Sequence, residues 1–197
     1  MRNSWSDKGT LTLLLLFGIT FCMCISANEA HAVGEALCPA GAKVSGRPPP
    51  KGHRIVCEKP SQRKKGQFLR HGRYMEWHPN DKLAAEGEFW NDMKDGKWKE
   101  YHSNGQISMD YEYKQGIKHG KWTEWHRNGQ LKLQCEYSNG KKNGREIEWY
   151  KEGMKRFEGE YIMGEQQGKW VTWSKDGTIK SVVFYDKGKI IEKDVDF

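Results

Sequence analysis

After its first thirty-two residues the chain lacks any apolar run long enough to cross a membrane as a helix, which takes about twenty residues. Its one apolar run, Leu11 to Ile25, follows Arg2 and Lys8 and precedes the small-residue site Ala30-His31-Ala32. That order of charged, apolar and small residues is an export signal, residues 1–32, with a mature chain starting at Val33. It implies a secreted or periplasmic protein. An uncleaved membrane anchor is the competing reading, against which the run is short at about fifteen residues.

Cysteine is scarce, with five in the chain, and Cys22 and Cys24 leave with the signal. Of the remaining three, Cys38 and Cys57 flank a Pro- and Gly-rich stretch and are the natural disulfide in an oxidising compartment. Closing such a loop contributes about 3 kcal/mol in the chain-entropy model. Cys135 is then odd and is expected as a buried thiol without a reactive role; whether it pairs between chains stays open.

Net charge is missing from most of the chain. From Gly72 to Phe197 there are twenty-two basic and twenty-two acidic residues, whereas Val33 to His71 holds nine basic residues and two acidic ones. A basic chain ordinarily invites a nucleic-acid or anionic-surface role. Here only the head could take it, and its densest point, Arg63-Lys64-Lys65, reads as a solvated linker. Prolines are few, and three of them, Pro48-Pro49-Pro50, favour an extended strut in a head of residues 33–71. The head is expected as a short disulfide-stapled loop followed by a mobile connector, Ser61 to His71.

What the chain has instead is repetition. Gly72, Gly96, Gly120, Gly144 and Gly168 recur every twenty-four residues. Each opens a phrase seen most fully in Gly120-Lys-Trp-Thr-Glu-Trp-His-Arg-Asn-Gly-Gln-Leu-Lys132, followed by Glu136-Tyr137 and Gly140. A fixed period of this size marks an array of small units stabilised by their neighbours. Counting the opening glycine as zero, the aromatic at +5 precedes a turn such as Ser103-Asn104-Gly105, the pattern of a three-residue hairpin loop with glycine in the left-handed position. In that register +5 faces +11, and Trp77, Tyr101, Trp125 and Trp173 meet Leu83, Ile107, Leu131 and Ile179, favourable cross-strand pairs. The same register sets +4 against +12, so that Glu124 meets Lys132 and Glu148 meets Arg156. Repeat four departs, with Lys155 opposite Trp149 and Glu146 where other repeats carry an aromatic. The aromatic at +2 has the opposite parity to +5, so it lies on the other face or beyond a strand irregularity.

Dense glycine, alternation and β-rich aromatics exclude helix. The expected fold is all-β: an elongated antiparallel meander of repeated β-hairpins over residues 72–197, a single-layer sheet of about ten strands. Its last segment, Asp194-Val195-Asp196-Phe197, is expected as a charged edge that discourages end-to-end association.

The phrase from Gly120 to Lys132 and the run Glu136-Tyr137-Ser138-Asn139-Gly140-Lys141 resemble the variant MORN repeat of bacterial proteins, some of which are described as antitoxin-like. The resemblance covers residues 72 to about 188. It implies a β-hairpin array used for protein contact or, in eukaryotic relatives, for scaffolding and lipid contact, and it brings no catalytic motif.

Individual residues add little chemistry. His78, His102 and His126 recur at +6, but equivalent positions in successive hairpins lie about 10 Å apart, too far for one zinc ion whose nitrogen ligands sit near 2 Å. They read as turn-flanking histidines. No nucleophile, base and orienting group converge, and no glycine-rich stretch is a phosphate loop. No catalytic, metal or cofactor residue is assigned. The candidate interaction surface is the aromatic set Trp98, Tyr101, Trp122, Trp125, Trp170 and Trp173, whose competing role is to cover the backbone of a thin sheet. The reading is a non-enzymatic recognition or scaffolding surface for an envelope or extracellular protein. The alternative is a carbohydrate or anionic envelope-polymer module on the same aromatics, with the basic head adding attraction.

Overall fold

The computed structural model describes residues 38–195, of which the side chains are described as far as Lys193. The export signal expected over residues 1–32 and the terminal Asp196-Phe197 lie outside the described residues. Fourteen strands form one open sheet. They are β1 (Lys43–Arg47), β2 (Arg54–Pro60), β3 (Phe68–Trp77), β4 (Leu83–Trp90), β5 (Met93–Tyr101), β6 (Ile107–Lys114) and β7 (Ile117–Trp125), followed by β8 (Leu131–Ser138), β9 (Lys141–Lys142), β10 (Gly144–Trp149), β11 (Lys155–Ile162), β12 (Glu165–Trp173), β13 (Ile179–Asp186) and β14 (Lys189–Val195). Each strand pairs antiparallel with its neighbour in sequence, except that β8 pairs with both the two-residue β9 and β10. The described residues contain no helix.

Two turn types alternate along this meander. At one end the carbonyl of residue +6 accepts the N–H of +9, as in His102 and Gly105 at 2.8 Å or His126 and Gly129 at 2.9 Å. The +9 residue is left-handed in every copy, including Asp81 at φ 62°. That is the expected three-residue loop. At the other end two-residue turns with both φ positive, such as Asn91-Asp92 and Asn139-Gly140, match the right-handed twist of the strands they join.

The +5 to +11 pairing holds in all five repeats, from Trp77 with Leu83 to Trp173 with Ile179. The +4 to +12 pairing does not. A bulge at +12 moves the register by one between +5 and +4, so Glu124 faces Leu133 and Glu148 faces Phe157. Lys132 and Arg156 are the extra residues, yet they still reach across: Lys132 Nζ lies 2.8 Å from Glu124 Oε2 and Arg156 Nη1 lies 2.5 Å from Glu148 Oε1. A bulge splays two side chains toward one partner, which preserves the ion pair while changing the ladder.

A second irregularity explains the period itself. Tyr111 pairs with Trp122 but Glu112 pairs with His119, so Gly120 and Lys121, which pair with β8, are skipped in the ladder with β6. The equivalent step occurs at Gly96 and at Gly168. The five opening glycines have φ between 67° and 117°, a conformation that side-chain-bearing residues reach only at a cost.

The head differs from the stapled loop and connector read in the sequence. β1 and β2 extend the same sheet, and β2 lies against β3, with Val56 opposite Tyr74 and Ile55 opposite Met75. The β-branched Ile55 and Val56 give the head a strand with a buried side chain. Only the residues between Pro60 and Phe68 remain a connection. The staple is present: Cys38 and Cys57 are bonded, with Cα atoms 5.5 Å apart. Pro39 presses on the first repeat, so that a Cβ at Gly72 would fall 2.4 Å from its Cδ. A compact core runs from head into array through Val56, Tyr74, Phe89, Trp98 and Tyr111.

Candidate functional site

Three residues apart on one strand, the aromatics at +2 and +5 stand on opposite faces, and the extra residue at +12 brings +15 and +17 onto the face of +2. The first face carries +2, +15 and +17. Trp98 is 2% exposed and packs edge-on against Phe89 at 4.9 Å and obliquely on Tyr74 at 5.6 Å. Trp122 stacks on Tyr111, with centroids 4.6 Å apart and planes 19° apart, and takes Tyr113 and Tyr137 on its edges. Trp170, 9% exposed, is enclosed by Phe157, Tyr161 and Tyr185.

A basic residue two positions before the opening glycine covers these rings. Arg70 lies 4.0 Å from the Phe89 centroid, Lys94 4.1 Å from Trp98, Lys118 4.2 Å from Trp122, and Lys142 4.9 Å from Tyr161. Such cation–π contacts recur with the period of the chain and gain strength from partial burial. The glutamates at +4 take the polar tips. Tyr74 donates to Glu76 at 2.8 Å, Tyr111 to Glu100, and Trp122 Nε1 to Glu124 at 3.0 Å. Burial, joined by the bond to Glu100, holds the Tyr111 hydroxyl far above the usual phenol range. Burial also lowers the Lys94 ammonium, which donates to the Tyr111 hydroxyl at 2.7 Å. Burial pushes the Glu124 carboxyl up, but the hydrogen bonds from Lys132 and Trp122 outweigh it and leave the group below its ordinary value.

The second face carries the +5 row: Trp77, Tyr101, Trp125, Trp149 and Trp173, all half-buried. Tyr101 donates to Glu86 at 2.8 Å, and burial together with this bond pushes its hydroxyl up to about 12. At the far end Trp173 borders a hollow of ≈ 540 Å³ lined also by Arg145, Glu158, Glu160 and Lys169. There burial raises the Glu158 carboxyl, while hydrogen bonds from Lys155 and Arg145 pull it below normal.

The six aromatics singled out in the sequence therefore divide. Trp98, Trp122 and Trp170 belong to the face whose rings the residues two before the opening glycines cover, and Tyr101, Trp125 and Trp173 to a half-buried face on which Lys155 lies 5.8 Å from the Trp173 ring. The covering cations were legible as a period of twenty-four but carried no recognised signal, because lysine two residues before a glycine reads as ordinary surface.

The histidines have a structural employment. His78, His102 and His126 each donate from Nε2 to the +5 carbonyl of the following repeat, at 2.7, 3.0 and 2.9 Å. Tyr150 does the same in repeat four, at 3.0 Å to Trp173. Beside them Asn80, Asn104 and Asn128 donate to the +7 carbonyls of the next repeat, at 2.7, 2.9 and 2.7 Å. Two side-chain ladders thus tie the three-residue turns together. Among the described residues no three His, Cys, Asp or Glu side chains are grouped to hold a metal. Cys135 is 4% exposed, and burial, helped by Glu146, pushes its thiol up to about 11.

No curated protein matches the chain at a significant level. The family model of the MORN repeat variant matches residues 70–91, 94–115 and 118–139. Each match begins at a ring-covering cation, Arg70, Lys94 or Lys118, and ends on the first residue of a two-residue turn. The matches stop before the fourth repeat, where Glu146 stands in place of the aromatic. Three consecutive repeats of this chain, within residues 70–139, are thus similar to the MORN repeat variant.

Proposed function

We propose that the chain is an exported, non-enzymatic scaffold whose +5 face recognises a protein of the cell envelope or exterior. MORN repeats are in general binding modules for proteins or membranes. The observation that carries the choice of face is a difference in covering: Trp98 and Trp170 are buried and lysines lie 4.1 and 4.2 Å from Trp98 and Trp122, whereas Tyr101, Trp125 and Trp173 are all half-buried, with one lysine, Lys155, at 5.8 Å from the Trp173 ring. Half-buried Trp and Tyr held on a rigid sheet supply contact area with little ordering cost. The array's charge balance makes docking on this face insensitive to salt.

A carbohydrate-binding role is the second reading, favoured by the hollow where the Trp173 ring meets the carboxylates of Glu158 and Glu160. One experiment separates the two. The mature chain and its Trp125→Ala and Trp173→Ala variants are used to capture partners from envelope and culture-fluid fractions, alongside an array of neutral glycans. A protein retained by the wild type in high salt and lost from both variants supports the protein scaffold. Glycan binding lost only in Trp173→Ala supports the second reading, and capture unchanged in both variants excludes the +5 face.

A further inference from the structure

We infer that the turn joining β1 to β2 forms a binding site for clustered phosphate groups, separate from the repeat array. Arg47 and Arg54 are direct cross-strand partners at the base of this turn, a placement in which like charges repel. Lys51 and His53 stand in the turn between them, and these four basic side chains, with Ser45 and the backbone of Gly46, line a hollow of ≈ 490 Å³. Glu76 stands opposite Arg54 on β3 and also lines the hollow, but its carboxylate accepts the Tyr74 hydroxyl at 2.8 Å. Among the described residues Arg47, Lys51 and Arg54 enter no ion pair. Arg47 and Lys51 have no counter-ion among the described residues, and Arg54, beside the Tyr74 hydroxyl and the Glu76 carboxylate, completes a concave surface on which three cations meet one carboxylate, an excess that an anion stabilises.

The hollow is also held in shape. A Cβ at Gly46 would lie 2.1 Å from the Arg54 carbonyl oxygen, and one at Gly52 would lie 2.5 Å from that of Arg47, so the turn closes backbone to backbone. The His53 carbonyl accepts the Trp77 N–H at 2.9 Å, which ties the turn to the first repeat. The Cys38–Cys57 disulfide secures β2 close by. A ligand meeting a backbone held in place is spared the cost of ordering the turn. The surroundings add to the field: of the charged residues from Cys38 to His71 nine are basic and one, Glu58, is acidic.

Arginine forks match the paired oxygens of phosphate, and lysine adds a point charge. One phosphate engages one or two of these groups, whereas two or three linked phosphates engage Arg47, Lys51 and Arg54 together. The chemistry recognised is therefore an oligophosphate or a molecule bearing neighbouring phosphates. The +5 face has no part in this assignment, which stands or falls independently of the scaffold reading.

Calorimetric titration of the mature chain with tripolyphosphate tests it, at about 50 mM salt where exposed charges are weakly screened. Arg47→Ala and Arg54→Ala are each expected to weaken binding about tenfold, as loss of a charge-assisted contact does. The Arg63→Ala/Lys64→Ala/Lys65→Ala variant, which removes equal or greater charge from the β2–β3 connection, is expected to stay within about twofold. Orthophosphate should bind far more weakly than tripolyphosphate. Lys51→Ala, in the turn and outside either strand, repeats the test if Arg54→Ala loses its sheet by circular dichroism. Equal losses from the turn and the connection variants, orthophosphate binding as tight as tripolyphosphate, or binding confined to phosphatidylglycerol vesicles would each overturn the assignment.

Discussion

The indole of Trp98 lies against the backbone of Gly87, its cross-sheet neighbour, so closely that a Cβ at Gly87 would fall 2.3 Å from the ring. The ring also donates from Nε1 to the Glu88 carbonyl at 3.0 Å. The same relationship recurs between Gly159 and Trp170, where the distance would be 2.1 Å. A glycine in a strand interior weakens it, and a large ring from the next strand repairs the deficit by covering the exposed backbone. In the repeats between, Tyr111 and Cys135 occupy the glycine's position, and Trp122 shifts to stack on Tyr111.

Gly87→Ala is expected to destabilise the chain by about 2 kcal/mol, because the methyl group displaces a ring fixed on all sides. Trp98→Ala should cost about 4 kcal/mol through loss of the largest core side chain. Urea denaturation followed by tryptophan fluorescence and circular dichroism measures both. A Gly87→Ala variant as stable as the wild type would mean that the indole moves freely away from β4.

Much of this architecture was readable in advance. Residue identities fix the three-residue turns, since Asn128-Gly129 or Asp176-Gly177 after an aromatic admits few conformations, and the pairs Trp77–Leu83 and Trp125–Leu131 follow at once. The bulge at +12 was not readable. Lys132 and Arg156 satisfy their glutamates in either register, so side-chain chemistry could not reveal the extra backbone residue. Trp98 and Tyr101 were readable as opposite in parity, three residues apart on one strand; what the one-residue step changes is the second strand, where it carries Tyr111 and Tyr113 onto the face of Trp98. The strand β2 was hidden for a related reason: Ile55-Val56-Cys57 is too short a run to declare a strand until Tyr74 and Met75 are seen beside it.

Alkaline pH should unfold the sheet through its tyrosines. Burial, with the Glu86 bond, holds the Tyr101 hydroxyl at about 12; burial, with the neighbouring Cys135, does the same for Tyr137. Tyr111 is displaced further in the same direction. In the unfolded chain these hydroxyls titrate near 10. The folded form therefore binds more protons once the unfolded hydroxyls begin to ionise. The stability they confer is complete below pH about 10 and is lost as pH rises from there through the folded values. Urea midpoints should be flat up to about pH 9 and fall beyond it, and a subset of tyrosines should develop phenolate absorbance only together with loss of the β signal. If every tyrosine titrates near its ordinary value while the sheet stays intact, the buried hydroxyls are not held as described.

The fourth repeat replaces a ring by a carboxylate, and the energetics of that exchange are asymmetric. Glu146 is 4% exposed and is ion-paired with the Lys142 ammonium, which is itself partly open to solvent above the Tyr161 ring. Removing the lysine leaves a charge inside the protein with no counter-ion, which costs about 3 kcal/mol. Removing the glutamate frees a lysine that can extend its ammonium into water, while an apolar replacement fills the position that rings fill in the other repeats. Lys142→Met is thus expected to lower stability by about 3 kcal/mol at neutral pH. Glu146→Leu is expected to stay within about 1 kcal/mol of the wild type. Urea unfolding of the two variants at neutral pH decides the matter: a Glu146→Leu loss as large as that of Lys142→Met would mean that the pair itself, rather than the avoidance of a lone buried charge, stabilises this repeat.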